Sequence, residues 1–333
     1  MSKVTIYDVA KYAGVSTATV SKVVNGTGRI SKVTSSRVVR AIEELRYHPS
    51  IIASALKKNQ TYSIGLLVPD ITNPFYAELT RAVEDEALSR DYFVLVSSTD
   101  NTPEREKKQL QLLMRKQLDG LIIATSDEPS NDTLEMLRAN ELHVVFIDRV
   151  VPNSPYPLVA TDHYTGGYQA TEHLIQLGHR KLAILAEPLY LRPSLERLKG
   201  FTAALEAYGL PHDSSPLLSR GFGAKAGYEL AQRLLLNKEL PTAVFATNDL
   251  LALGLLQKFH EAGISIPDQL SLVGYDDTQM AKMVSPPLTT IAQPISEMGR
   301  IAVDYLLGDN SPSAVTTLLP PKLVVRHSTA APR

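Results

Sequence analysis

Carboxylate, amide and guanidinium side chains recur in this sequence just after short apolar runs. They are Asp70 and Asn73 after SIGLLV, Asp148 and Arg149 after VVFI, Asn248 and Asp249 after AVFAT, and Asp276 and Asp277 after LVGY. Each of these planar groups can bridge two neighbouring hydroxyls of a ligand. An Asp or Asn that follows a strand can instead cap the next helix. Both interpretations are open from sequence alone.

The elements that would position these groups alternate along the chain from residue 62 onward. Helical patterns such as FYAELTRAVEDEALSR and AGYELAQRLLLN lie between short apolar runs, which are SIGLLVPD, YFVLVSS, GLIIAT, HVVFIDR, KLAILAE, TAVFATND and LSLVGYDD. Nearly continuous apolar strands separated by helices predict parallel sheets covered on both faces. Ligands bind such sheets at the carboxyl ends of the strands, where the polar residues fall.

Catalytic signatures are not found in this sequence. It contains no GxSxG, HExxH, phosphate-binding P-loop or GxGxxG after the first strand. It also contains no cysteine, which excludes disulfides, a thiolate nucleophile and a Cys-ligated zinc site. His173 and His179 do not have metal-ligand spacing. A sugar hydrolase using Asp148 or Asp276 is therefore a remote alternative, and no catalytic residue, metal or cofactor is predicted.

Charge is distributed unevenly over the 333 residues, although the net charge is only −1. Residues 1–60 contain ten Lys or Arg and three acidic residues, whereas the remainder contains 24 basic and 32 acidic residues. A compact basic segment attached to an acidic body indicates that the segment binds a polyanion. The alternative is a solvated basic face without a partner.

The basic segment begins with the pattern of two short helices joined by a turn. Ile6, Val9, Ala10 and Ala13 have helical spacing, Gly14 breaks the pattern, and Ser16 can cap a second helix with Val20, Val23 and Val24 facing inward. This arrangement is typical of a helix-turn-helix. A third helix within SSRVVRAIEELRY would close the core through four apolar residues, Val38, Val39, Ile42 and Leu45.

The segments VTIYDVAKYAGVSTATVSKVVNG and AIEELRYHPS resemble the DNA-binding headpiece of the lactose-repressor (LacI/GalR) family. The resemblance implies that Thr17, Ala18 and Lys22 contact bases in the major groove of double-stranded operator DNA. The residues implied to contact phosphates or to lie nearby are Thr5, Tyr7, Ser16, Ser21, Asn25, Ser31 and Tyr47. Capping of the first helix by Thr5 and a core position for Tyr7 are the structural alternatives.

The body resembles the class I periplasmic-binding-protein fold that this family joins to its headpiece, on segments such as NPFYAEL, FATNDLLALG and LTTIAQP. The predicted fold is an all-α helix-turn-helix headpiece at 1–48, a hinge at 49–60, and a two-lobe α/β domain at 61–333. The resemblance implies a first lobe at about 62–160 and 292–320 and a second at about 161–290 and 321–333. Three crossovers near 160–163, 288–293 and 320–323 would join the lobes.

The cleft between the lobes would bind a small-molecule effector. The candidate residues are Asn73, Phe75, Tyr76, Asp148, Arg149, Arg197, Phe222, Asn248, Asp276 and Gln293. Their polar groups suit sugar hydroxyls and their aromatic rings suit the C–H face of a sugar, which favours a neutral pentose or hexose. Leu191 and Pro193 make part of the pocket apolar. Two alternatives remain, a surface ion pair for Asp148 with Arg149 and an interlobe strut for Arg197.

The stretch HPSIIASALKKNQT between head and body is too apolar for a passive linker, and residues 50–58 favour a helix. Nine residues do not hold a helix alone in water. The resemblance implies that two such hinge helices pair in the minor groove, where Leu56 wedges apart a base step, Ala53 permits close approach, and Ser50 lies near the DNA backbone. Packing of Leu56 against the body is the alternative.

Several partner expectations follow from these patterns. Residues 308–333 lack a leucine-heptad tail, which predicts a homodimer. No apolar stretch is long enough to span a membrane, and the charged N-terminus does not resemble a signal peptide. A cytoplasmic, nucleoid-associated repressor is therefore expected, rather than a transport-type binding protein. An alternative regulator is a phosphorylated carrier protein that docks on the helix containing Thr80, Arg81, Glu84 and Asp85.

Overall fold

The computed structural model describes residues 4–24, 26–47, 60–124, 131–151, 154–211, 216–308 and 314–333. The chain divides into two compact units between Thr61 and Tyr62. The predicted contacts of Asn25, Ser50, Ala53 and Leu56 lie outside the described residues.

The N-terminal unit contains three helices around one small core. They are α1 (Ile6–Ala13), α2 (Thr17–Val24) and α3 (Lys32–Glu44). Val9, Val20, Val38 and Ala41 are buried in this core. Gly14 ends α1 with φ 63°, a left-handed conformation that glycine adopts without steric cost. The predicted helix-turn-helix and third helix are therefore present.

Two apolar side chains of this unit differ from the core predicted by spacing. Val39 is 44% exposed, so its predicted core position is wrong, and Ala41 is buried instead. The reason is helical periodicity, because Val38, Ala41, Ile42 and Leu45 lie on one face and Val39 lies about 100° away from Val38. Tyr7 is 73% exposed, which rejects its alternative position in the core.

The first lobe, residues 62–161 with 295–319, is built on a six-stranded parallel sheet of order β11-β5-β4-β3-β1-β2. The strands are β1 (Ser63–Val68), β2 (Phe93–Ser98), β3 (Gly120–Ile123), β4 (Val144–Ile147), β5 (Leu158–Thr161) and β11 (Thr316–Leu319). The helices are α4 (Pro74–Ser89), α5 (Pro103–Met114), α6 (Asn131–Ala139) and α12 (Ile295–Leu307). Helices α4 and α12 pack together over this sheet.

The second lobe, residues 162–294 with 320–333, contains a sheet of order β12-β10-β9-β8-β6-β7, in which only the β10–β12 pair is antiparallel. The strands are β6 (Leu182–Ala186), β7 (Leu217–Leu218), β8 (Ala243–Ala246), β9 (Ser271–Asp276), β10 (Thr289–Ala292) and β12 (Lys322–Val324). The helices are α7 (His163–Gln176), α8 (Arg192–Ala207), α9 (Gly223–Leu234), α10 (Asp249–Glu261) and α11 (Gln279–Met283). The chain passes between lobes after β5, β10 and β11.

Helices α7 and α8 approach one another closely through glycine. A Cβ on Gly167 would lie 2.2 Å from the carbonyl oxygen of Arg197, and a Cβ on Gly200 would lie 2.1 Å from that of Tyr164. Real Cβ contacts are never this short, so both positions require glycine at the observed helix separation. This packing places His163, the first residue of α7, beside Arg197 in the second turn of α8.

Candidate functional site

A cavity of about 400 Å³ lies where the carboxyl ends of the two sheets face each other. All ten side chains predicted to contact an effector line it, and they come from both lobes. Sequence reasoning missed seven further lining residues, which are Thr72, Asn101, Glu187, Gly223, Ala224, Lys225 and Leu250. Asn101 and Glu187 follow β2 and β6, so the strand-end rule that selected Asp148 could also have selected them.

Two of the strand-end amides cap helices and line the cavity at the same time. The Asn73 Oδ1 accepts a hydrogen bond from the Phe75 backbone N–H at 3.0 Å and begins α4. The Asn248 Oδ1 accepts from the Leu251 N–H at 2.7 Å and begins α10. An amide has two N–H donors in addition to its oxygen. The capping and ligand-binding interpretations are therefore compatible.

The first-lobe side of the cavity contains a buried network around Asp148. The Tyr76 hydroxyl donates to Asp148 Oδ2 at 2.8 Å, and Arg149 Nη2 donates to the Tyr76 oxygen at 3.3 Å and to Asn101 Oδ1 at 3.2 Å. Asp148 and Arg149 are 3% and 7% exposed, so the surface ion-pair alternative is wrong. Burial raises the pKa of Asp148, while Arg149, Arg197 and the Tyr76 hydrogen bond oppose that rise.

The second-lobe side is organised by Arg197. Its Nη1 donates to the Thr247 carbonyl at 2.6 Å, and its guanidinium carbon lies 3.8 Å from the centre of the Tyr275 ring. Its Nη2 is 3.9 Å from Asp276 Oδ1, to which Gln293 Nε2 donates at 2.8 Å. Because Thr247, Tyr275 and Asp276 belong to the second lobe, these contacts hold Arg197 in its own lobe.

Glu187 adds a fourth carboxyl group to this cavity beside Asp70, Asp148 and Asp276. Burial raises its pKa, and the opposing influences are Arg197, Arg149 and a hydrogen bond with Asn248. Four carboxyl groups and two guanidinium groups therefore line the cavity, with Lys225 also in its lining. This balance suits a ligand that carries no net negative charge, because a phosphate would face the carboxylates.

The apolar part of the lining consists of aromatic and aliphatic side chains, which are Phe75, Phe222, Leu191, Pro193 and Leu250. The Phe75 and Tyr76 rings meet edge to face, with centroids 5.0 Å apart and planes at 72°. Phe75 is buried and Phe222 is half-buried, so part of the Phe222 surface remains accessible. Flat apolar faces beside convergent polar groups are typical of small-molecule sites.

Asp249 lies behind the cavity and supports the turn that presents Asp276. Its Oδ2 accepts from the Thr278 backbone N–H at 2.9 Å and from the Thr278 hydroxyl at 3.1 Å, and its Oδ1 accepts from the Thr290 hydroxyl at 2.7 Å. Asp276 and Asp277, which precede Thr278, have φ values of 117° and 59°. These contacts hold a strained turn in place.

The pH dependence of stability should report this buried carboxyl group. Burial raises the pKa of Asp249 from 3.8 to about 7, against the Thr290 and Thr278 hydrogen bonds. Because the pKa is higher in the folded state, its contribution to the free energy of unfolding is complete below pH 3.8 and is lost as pH rises through about 7. Between pH 5 and pH 8, wild type should lose roughly 2–4 kcal/mol relative to Asp249→Asn in urea unfolding. Parallel stability curves for the two proteins would contradict this prediction.

The candidate DNA surface of the N-terminal unit is formed by helix starts and by the outer face of α2. Ala18 and Lys22 are exposed, and Thr17 and Ser21 are half-buried beside them. Small side chains next to one cation permit a helix to approach base edges closely. Tyr47 is half-buried against the three-helix core, so it also has a packing role.

Three of the predicted phosphate contacts lie at helix starts. The Thr5 N–H and hydroxyl both donate to the Asp8 carboxylate, at 2.8 and 2.7 Å, which lowers the pKa of Asp8. Ser16 Oγ accepts from the Thr19 N–H, and Ser31 Oγ accepts from the Thr34 N–H, both at 3.2 Å. Thr5, Ser16 and Ser31 are all exposed. Helix N-termini favour anions, so capping is compatible with phosphate binding.

Neither a metal site nor a membrane-spanning helix is present among the described residues. No cluster of three or more His, Cys, Asp or Glu side chains in the described part of the chain could hold a metal ion. No helix within the described ranges is both long and apolar enough to cross a membrane.

Models of known protein families match a segment of each unit. Residues 5–50 match the model described as "Bacterial regulatory proteins, lacI family", and residues 171–329 match that of a periplasmic binding protein-like domain. The chain is 42% identical over 334 residues to the HTH-type transcriptional regulator DegA of Bacillus subtilis, with 98% of each chain covered.

Two solved structures are similar to this chain over most of its length. The lac repressor dimer bound to operator and the anti-inducer ONPF has a TM-score of 0.87 and 32% identity, with 99% of this chain and 100% of that chain covered. A LacI family regulator from Enterococcus faecium with bound ribose has a TM-score of 0.73 and 36% identity, with 81% of this chain and 100% of that chain covered.

Proposed function

Because the chain belongs to the lacI family of bacterial regulatory proteins and is a DNA-binding transcriptional regulator rather than an enzyme, we propose that a neutral sugar in the cleft controls its repression of transcription. The observation that carries this proposal is the cavity lining. Carboxylates, amides and two guanidinium groups converge there from both lobes beside flat apolar rings. These groups match the alternating hydroxyl and C–H surfaces of a sugar.

A pentose such as ribose is the effector class that we propose. The E. faecium relative was solved with bound ribose, and it is 36% identical over four-fifths of this chain. The four carboxyl groups of the cavity support an uncharged sugar over a sugar phosphate, since close like charges are disfavoured. The residues proposed to contact the sugar are the ten predicted ones together with Asn101 and Glu187.

On the DNA side, α2 would enter the major groove of the operator. Thr17, Ala18 and Lys22 would contact base edges, while Thr5, Ser16 and Ser31 would present helix N-termini to phosphates. We place the domain boundaries as the sequence predicts them, with the hinge at 49–60. A two-fold homodimer in the cytoplasm would read paired half-sites, and the lac repressor relative was solved as a dimer on operator.

Sugar binding and operator binding would be coupled through closure of the two lobes. Closure around a sugar would move the first lobe relative to the second, and the first lobe begins at residue 62, directly after the hinge in sequence. Allosteric coupling of about 1–3 kcal/mol would change operator affinity roughly 5- to 150-fold.

No specific contact favours a phosphorylated carrier protein as the regulator. On α4, Arg81 pairs with Glu84 at 3.4 Å and with Asp85 at 2.8 Å, and the Thr80 hydroxyl donates to the Tyr76 carbonyl. These neighbours within one helix account for the polar groups of the suggested docking face. A pull-down with the seryl-phosphorylated carrier protein would separate the alternatives, since strong sugar-independent capture would favour it.

Calorimetry and operator mobility shifts test the proposed function directly. D-ribose, other pentoses, hexoses and ribose 5-phosphate are titrated into the full-length protein, and each is then added to the protein–operator complex. We expect a neutral sugar to bind and to change operator affinity, with ribose 5-phosphate binding at least tenfold more weakly. If no sugar alters either measurement, the proposed effector class is wrong.

The hinge should contribute to operator recognition more than to general DNA binding. Leu56→Ala would remove the side chain proposed to wedge apart a base step, so the bent operator would lose contact surface. We expect roughly tenfold or greater weakening on operator, corresponding to about 1–3 kcal/mol, and little change on random DNA. Lys57→Ala is the matched control, because losing one phosphate contact weakens both DNAs alike. Equal losses on both DNAs for Leu56→Ala would show that this residue does not read the operator.

A further inference from the structure

His163 lies where the chain first enters the second lobe, and its two ring nitrogens have different surroundings. Nδ1 is 3.3 Å from Arg197 Nε, 3.2 Å from Arg197 Nη2 and 3.1 Å from the Tyr275 hydroxyl oxygen. A guanidinium group only donates hydrogen bonds, so Nδ1 must accept. The ring proton of the neutral imidazole is therefore on Nε2.

The Nε2–H group is a buried donor that faces the other lobe. His163 is 4% exposed, and its Nε2 makes no hydrogen bond of standard geometry among the described residues, although the Asp148 backbone lies close enough to raise the His163 pKa. Asp148 Oδ1, in the first lobe, is 3.9 Å away, about 1 Å beyond hydrogen-bond distance. Leaving a buried donor unsatisfied is unfavourable, so movement of Asp148 toward His163 would be favoured.

The Asp148 carboxylate is already oriented for this contact. Its Oδ2 accepts from the Tyr76 hydroxyl, which leaves Oδ1 directed toward His163. Burial lowers the pKa of His163 well below its ordinary value, and Arg197 and Arg149 act in the same direction while the Asp148 backbone opposes them. The imidazole is thus neutral at physiological pH, and the contact is an N–H donor facing a carboxylate.

We propose that His163 is a positioning residue for the effector site, whose Nε2–H bonds Asp148 when the lobes close. The bond is absent at the observed 3.9 Å separation and forms after closure by about 1 Å. It would fix the Asp148 carboxylate between Tyr76 and His163, with Oδ1 and Oδ2 held from opposite lobes. This inference rests on the proposed function, because it assigns a role in effector binding to the cleft.

Two substitutions separate the roles of the two nitrogens. His163→Asn places an amide oxygen near the position of Nδ1, so it keeps an acceptor for Arg197 and removes the donor to Asp148. His163→Gln places an amide near Nε2, so it keeps that donor and loses the acceptor. The two variants are similar in polarity, and each serves as the control for the other.

Ribose titration by calorimetry is the first measurement. One net buried hydrogen bond corresponds to about a 2- to 10-fold change in affinity, so His163→Asn should bind that much more weakly than wild type. His163→Gln should bind more tightly than His163→Asn. The reverse order would assign the role to the Arg197 contact. Either that order or equal affinities for the two variants would overturn the proposal.

Lobe closure in the absence of sugar is the second measurement. It tests the role of His163 in closure independently of which effector class binds. The sequence contains no cysteine, so Lys108→Cys in the first lobe and Lys238→Cys in the second can carry spin labels specifically. Distance distributions should show a smaller closed fraction for His163→Asn than for wild type or His163→Gln. Identical distributions would overturn the proposal. If no sugar binds wild type while the closed fractions differ, the proposed effector class alone is wrong.

Discussion

Replacing Arg197 by leucine should abolish the response to the effector, with sugar affinity reduced about 100-fold or more. The guanidinium group is buried, donates to Thr247 and lies beside Asp276 within the cavity lining. Charge-assisted hydrogen bonds contribute about 1.5–3 kcal/mol each, and leucine would also remove the cation beside Asp276. Calorimetry with sugar, and operator mobility shifts with and without it, measure the loss.

Two further variants show whether the loss reflects binding geometry or charge alone. Arg197→Lys keeps the positive charge but cannot reproduce the planar fork, so we expect it to fold and still bind sugar poorly. Arg220→Leu removes an exposed second-lobe arginine that does not line the cavity and should bind like wild type. Sugar binding by Arg197→Lys within threefold of wild type would show that charge suffices. Retained operator binding by effector-free Arg197→Leu would separate loss of effector binding from loss of folding.

The second large effect is expected from Gly200→Ala, at a residue that does not line the cavity. The added Cβ would lie 2.1 Å from the Tyr164 carbonyl oxygen and 2.7 Å from the Tyr168 nitrogen, both backbone atoms that have no rotamer to change. Helices α7 and α8 must therefore separate, which should lower the free energy of unfolding by about 1–3 kcal/mol. The same separation displaces Arg197 and His163, so sugar affinity should fall as well. Urea unfolding and calorimetry measure the two effects.

Gly221→Ala is the matched control for this glycine substitution. A Cβ at Gly221 would meet no atom within 4 Å, so stability and sugar binding should both be unchanged. If Gly200→Ala unfolds like wild type and binds sugar normally, then the contact between α7 and α8 does not position the site.

Much of the candidate site was predictable because parallel sheets bring the carboxyl ends of their strands to one edge. The ten predicted effector contacts line one cavity, including residues 220 positions apart in sequence, such as Asn73 and Gln293. Glu187 and Asn101 obey the same rule and were missed. The predicted run KLAILAE ends at Glu187, and YFVLVSS ends three residues before Asn101, so the information was present.

Other features could not be predicted, because they depend on distances between elements remote in sequence. Whether Asp148 and Arg149 form a surface pair or a buried network depends on Tyr76 and Asn101, which come from other elements. Strand β7 contains two residues, too few for a periodic pattern.

The sequence by itself determined the classes of element, the helix-turn-helix, the parallel sheets and the strand ends at which polar groups gather. These follow from local spacing, since the periods of helix and strand act over a few residues. Only the tertiary structure decided the direction of the His163 donor, the support of Asp276 by Asp249 and the separation of α7 and α8. Each of these depends on ångström-scale packing between segments distant in the chain, where a single Cβ at Gly167 or Gly200 changes the outcome.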